Sequence, residues 1–96
     1  MKLLLVMYSG NRPELVPQLL EHQGVHGYTE LRGAHGAGSS GRREGTRAWP
    51  GETAVFFSMV DDEHATDLIA TLREQGARSL PGERIHLAEL PVEYFG

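Results

Sequence analysis

The stretch Arg32-Gly-Ala-His-Gly-Ala-Gly-Ser-Ser-Gly-Arg-Arg-Glu-Gly-Thr-Arg-Ala-Trp-Pro-Gly51 divides the chain into two halves that read alike. It holds six of the twelve glycines in a protein of 96 residues. Glycine loses the most backbone freedom on folding and offers no side chain to a core, so this segment is expected to be an arm rather than a packed element. Arg32, Arg42, Arg43 and Arg47 stand in it against Glu44 alone, which makes it basic on a chain of net charge -4. Loops of this length are uncommon without a role. The arm, at about residues 32–51 of a single domain spanning 1–96, is therefore expected to meet a ligand or a partner.

On the N-terminal side, Leu3-Leu-Leu-Val-Met-Tyr8 is an unbroken apolar run of strand length, the pattern of a central strand covered on both faces. Asn11 stands where a helix N-cap is preferred, with Pro13 in the first turn and Glu14 three residues on. Leu15, Leu19 and Leu20 follow as an apolar stripe, and Gly24 is a stop signal. Pro17 conflicts with a helix begun at Asn11, because an interior proline removes a hydrogen bond and clashes with the preceding turn. The helix is expected to kink there or to begin later. Tyr28 to Leu31 reads as the next strand.

Beyond the arm, Thr53 to Val60 is rich in β-branched and aromatic residues, as strands are. Asp61 or Asp62 then caps a helix in which Ala65, Leu68, Ile69 and Leu72 keep helical spacing, with Gly76 as its end. Arg84 to Leu90 is the last strand, Ile85 and Leu87 pointing the same way. The order β-α-β, arm, β-α-β predicts an α+β fold: a ferredoxin-like βαββαβ unit with a four-stranded antiparallel sheet and two helices on one face. The opposite face then needs a cover, and a second copy of the chain is the simplest one.

Composition narrows the functional classes. The chain has no cysteine, hence no disulfide, thiolate metal site or cysteine nucleophile. The acidic balance argues against nucleic acid as a partner. The apolar run after Lys2 is too short for a signal peptide, and nothing approaches a membrane span, so a cytoplasmic protein without membrane insertion is expected. No nucleophile elbow, catalytic triad order or dinucleotide fingerprint occurs, and the arm lacks the Gly-Lys-Ser/Thr ending of a P-loop. The chain does not read as an enzyme.

Gln23-Gly-Val-His-Gly-Tyr-Thr-Glu-Leu-Arg-Gly33, followed by the glycine- and arginine-rich arm, resembles the PII signal-transduction proteins. There the first helix ends in glycine, a Gly-x-x-Gly step enters the second strand, and a basic glycine-rich segment opens the T-loop. Leu90-Pro-Val-Glu93 resembles the Pro-Val-Glu after the last strand of that family and of the related CutA proteins. The resemblance implies a homotrimer that binds ligands in clefts between subunits. At matching positions Gly27, Thr29, Arg32, Gly33, Gly36 and Gly38 would line such a cleft. Departures are equally plain: residues 77–83 contain no lysine, the arm has no tyrosine to modify, and no basic segment follows at Gly96. They mark a divergent PII-like protein, without the usual set of nucleotide-gripping residues.

Two functions follow as expectations. In the first, a trimeric regulatory protein binds a small anionic effector, such as an adenine nucleotide or a related metabolite. Arg42, Arg43 and Arg47 grip it together with backbone N–H groups of the glycine-rich turns. The arm then changes order and signals to a target such as a transporter or an enzyme. In the second, a trimer handles a divalent transition metal through His35 with His22 or His26, since imidazole suits zinc, copper and nickel. Gly24 between His22 and His26 argues against a shared helical face. Trp49 is expected to pin the arm, and Asp61-Asp62-Glu63 is explained by capping. A scaffold without a small ligand is the remaining reading.

Overall fold

A computed structural model describes residues 1–38, 41–43 and 52–96. The strands are β1 (Lys2–Gly10), β2 (Thr29–Arg32), β3 (Gly36–Gly38), β4 (Gly41–Arg43), β5 (Glu52–Val60) and β6 (Arg84–Pro91), and the helices are α1 (Leu15–His22) and α2 (Asp62–Ala77). The antiparallel sheet has the order β2-β5-β1-β6, and β3 pairs with β4 in a separate hairpin within the arm. The expected ferredoxin-like arrangement is the observed one.

Alternation along β1 sends Leu4, Val6 and Tyr8 to the inner face, where they join Ala54, Phe56 and Val60 of β5. Val16 and Leu20 of α1 and Ala65, Leu68 and Leu72 of α2 close this core from one side. Each strand register extends the inner set across the sheet, so a slip of one residue would turn it to solvent.

Helix α1 starts later than Asn11 implies. Its N-cap is Glu14, with no side-chain cap bond. Pro17 thereby falls in the first turn, where no intrahelical partner waits for an N–H. The C-terminus carries a Schellman closure: Gly24, at φ 82°, donates its N–H to the Glu21 carbonyl (3.0 Å), and Val25 donates to Leu20 (2.8 Å). Val25 and Leu20 are both core residues, which adds the apolar contact of that motif. Asp61 caps α2 as expected, its carboxylate accepting the His64 N–H at 2.7 Å. The helix passes through Gly76 to Ala77 instead of stopping at the glycine.

Gly10 ends β1 at a close approach. A Cβ there would lie 2.5 Å from the Tyr8 hydroxyl, 2.9 Å from its ring and 3.2 Å from Glu83 Cγ. Gly10→Ala is expected to lower stability by about 1–3 kcal/mol through overpacking. Urea unfolding would read it as a lower midpoint at unchanged slope.

Candidate functional site

The face of the sheet away from the helices carries four cross-strand rows, set by register. Met59, Leu3 and Leu90 form the first, and Thr29, Phe57, Leu5 and Ala88 the second. Leu31, Val55, Met7 and His86 form the third. Thr53, Ser9 and Arg84 form the fourth. The first three rows are largely apolar, and Leu31, Met7 and Leu90 are exposed to solvent. Contiguous apolar surface of this kind is what ligands or partners cover.

A cleft of about 470 Å³ opens at the first two rows, lined by Leu3, Gly27, Tyr28, Thr29, Phe57, Met59 and Phe95 together with Ser58. The step into β2 that borders it is held from within: the Ser58 hydroxyl donates to the Gly27 carbonyl at 2.7 Å. Behind it, Tyr28 tilts against Phe56 with ring centroids 6.3 Å apart. A second cleft of about 220 Å³ adjoins this one through Gly27 and Met59 and reaches His26, Asp61 and His64.

The fourth row is of different character. Ser9 Oγ and Thr53 Oγ1 lie 2.9 Å apart, and the Ala34 N–H bonds the Thr53 carbonyl at 3.0 Å, closing the root of the arm. Arg84 stands beside Ser9 in the register. Among the described residues its guanidinium has no hydrogen bond or ion pair, whereas Arg12, Arg32 and Arg78 are paired with Glu83, Glu30 and Glu74.

Below that row sits a buried ionic cluster. The Glu83 carboxylate, its side chain 3% exposed, faces Arg12. It accepts from Arg12 Nε (2.9 Å) and Nη2 (2.5 Å), from the Tyr8 hydroxyl (2.7 Å) and from the Leu80 N–H (3.1 Å). The Tyr8 oxygen in turn accepts the Arg12 N–H at 2.7 Å. The two-point bond from Arg12 is the main cause that holds the Glu83 carboxyl down at about 2, against burial. Burial, with the Glu83 charge adding to it, pushes the Tyr8 phenol up to about 12.

Of the residues marked by the sequence, Gly27 and Thr29 line the larger cleft. Arg32 and Gly33 lie at the other end of β2, where Arg32 pairs with Glu30. Gly36 and Gly38 belong to β3, and Arg42 and Arg43 to β4, with Gly36 opposite Arg43. Arg47, Trp49 and Glu44 lie outside the described residues. His22 closes α1 and His35 follows the arm root, while His26 reaches the second cleft. Among the described residues no three histidine, aspartate or glutamate side chains converge as a metal ligand set. His64, exposed in the first turn of α2, has its Nδ1 2.8 Å from Asp61, and that bond raises its pKa. Among the described residues no helix is long and apolar enough to cross a membrane.

Arg84, Glu83 and Arg12 escaped the sequence reading. One signal was present: Glu83 shares the parity of Ile85 and Leu87, which face the core. A carboxylate at an inward position demands a partner.

No protein-family model matches the sequence, and no curated protein matches it. Solved structures do, and the fold they share with this chain is that of PII-like proteins. One is CPII, a nitrogen regulatory PII-like protein from Thiomonas intermedia, in a structure bound to ADP, AMP and bicarbonate. It matches at TM-score 0.71 and 22% identity, over 97% of this chain and 88% of that one. The apo form of CPII matches at TM-score 0.64 and 19% identity, over 95% and 89%. A protein from Thermus thermophilus described as PII-like and signalling matches at TM-score 0.60 and 18% identity, over 94% and 86%. At these identities the likeness is one of fold, and the named ligands are those of CPII.

Proposed function

We propose that the chain is a PII-like effector sensor, a ring of three copies that binds an adenine nucleotide between neighbours and signals through its arm. The observation that carries this reading is the division of one sheet face. An apolar cleft with backbone groups of Gly27 to Thr29 lies at one end, and Arg84 with the Ser9–Thr53 hydroxyls lies at the other. Six residues separate Leu3 from Ser9, about 20 Å along a strand. A nucleoside diphosphate does not span that distance within one chain. Between neighbouring copies the two ends meet if each presents a different patch to each neighbour, the arrangement that closes a cyclic ring.

In that arrangement the cleft takes the base, an aromatic plane suited to Tyr28, Phe57 and Phe95. Arg84 and the hydroxyls take the phosphates, for which guanidinium is the favoured side chain. The arm leaves the sheet at the cationic end, beside Thr53, so the phosphate count is read where the arm is rooted. The fold shared with CPII and the ligands of that protein support the choice of nucleotide and, beside it, of bicarbonate.

The test is a titration of ADP, AMP and bicarbonate by calorimetry, paired with light scattering for mass. A trimer binding about one nucleotide per chain is the expected result, with stronger binding of ADP than of AMP. A monomer, or a trimer indifferent to all three ligands, overturns the reading.

A further inference from the structure

We propose that Arg12 and Tyr8, through Glu83, are positioning residues for Arg84: they sequester the Glu83 carboxylate next to it in the chain and so leave the Arg84 charge free for phosphate. This rests on the effector-site reading above. Glu83 and Arg84 are consecutive at the start of a strand, where neighbours turn to opposite faces. Glu83 is buried, whereas Arg84 is exposed at the arm end of the outer face. Adjacent opposite charges would cancel in the field that an anion meets. Here the acceptor positions of Glu83 are committed to Arg12, Tyr8 and Leu80. The fork from Arg12 neutralises it at two points, a grip that an ammonium does not reproduce.

The same carboxylate also fixes where Arg84 begins. The turn before it is closed twice, by the Glu83 N–H on the Leu80 carbonyl at 2.9 Å and by the Leu80 N–H on the Glu83 side chain at 3.1 Å. Tyr8, the residue before Ser9, reaches Glu83 from β1, so the strand that carries Ser9 of the hydroxyl pair and the strand that carries Arg84 share one anchor. Loosening the fork frees the carboxylate to compete for Arg84 and blurs the position of the turn. Both effects act on the phosphate end of a ligand and neither on its base.

Binding of ADP and of adenosine, compared in wild type, Arg84→Ala, Arg12→Lys and Glu83→Gln, separates the cases. Charge-assisted contacts of this kind correspond to about ten- to a hundredfold in affinity. Arg84→Ala is expected to lose that much for ADP and nothing for adenosine. Arg12→Lys, which keeps the charge and loses the fork, is expected to lose about tenfold for ADP, again with adenosine unchanged. Melting curves confirm that each variant folds, and Arg12→Lys carries the test if Glu83→Gln does not. If ADP and adenosine weaken together in Arg12→Lys, or if that variant binds ADP as wild type while Arg84→Ala does not, the positioning role is overturned and the effector reading stands. If Arg84→Ala binds ADP normally, the effector reading itself fails and takes the inference with it.

Discussion

Glu83→Ala is expected to lower the unfolding free energy by about 2–3 kcal/mol, the cost of leaving a buried donor without its charged acceptor. For a domain whose whole stability is about 5–15 kcal/mol, that is a sizeable share. The size follows from what is left behind. The Tyr8 hydroxyl, on a residue 1% exposed, loses its acceptor, and the Leu80 N–H loses another. Arg12 is half-buried and can turn partly to water, which keeps the loss from being larger. Tyr8→Phe removes one hydroxyl from the same cluster and is expected to cost only about 1–2 kcal/mol. Urea midpoints of the two variants would check both size and order. Equal small effects would mean that water replaces the cluster at little cost.

The same cluster makes stability depend on pH at both ends of the range. Glu83 has a folded pKa of about 2 against 4.5 for the free group. Its contribution is complete above 4.5 and is lost as pH falls toward 2. Tyr8 runs the other way: with a folded pKa of about 12 against 10.0, its contribution is complete below 10 and fades as pH rises to 12. Stability measured against pH should therefore be level between these windows, as far as this cluster governs it. In Glu83→Ala the acid limb should flatten.

Leu5→Asp is expected to abolish assembly. Leu5 stands in the middle of the outer face, between Phe57 and Ala88 in the register, and contributes nothing to the inner core. In a single copy the new carboxylate meets water, so the helical and sheet content should persist. In a ring it would enter an apolar interface from every copy, and an unpaired buried ion costs several kcal/mol each time. Light scattering should find a monomer, and, if the site lies between copies as proposed, ADP binding should disappear with the ring. A trimer of wild-type mass would place the interface elsewhere.

The fold was legible because its signals are local. The run Leu3 to Tyr8, the cap at Asp61 and the spacing of Ala65, Leu68 and Leu72 each need only a few neighbouring residues to be read. At the start of α1 two local signals conflict, a cap preference at Asn11 and Pro17 inside the resulting helix, and the later start that Pro17 implies is the one observed. Glu14 takes the cap position without a side-chain bond, and the preceding turn is fastened by Tyr8 through the Arg12 N–H, a contact no capping rule contains. Gly27 and Thr29 reached the cleft through a resemblance carried by a glycine step. Arg12 and Glu83 are 71 residues apart. Each looks like an ordinary surface charge until the topology brings β1 beside β6. Long-range polar pairs of this kind leave only a trace of parity in the sequence.

The single hydrogen bond from Ala34 to Thr53 has a consequence for how such proteins diversify. It closes the sheet between Ala34 and Thr53, so the segment of sequence between them joins two ends that are already held together. Doubling the length of a flexible loop costs only about 0.6 kcal/mol in closure entropy. Lineages can therefore lengthen, shorten or exchange that segment while the sheet beneath it stays unchanged. The scaffold behaves as a socket that accepts plugs of different length.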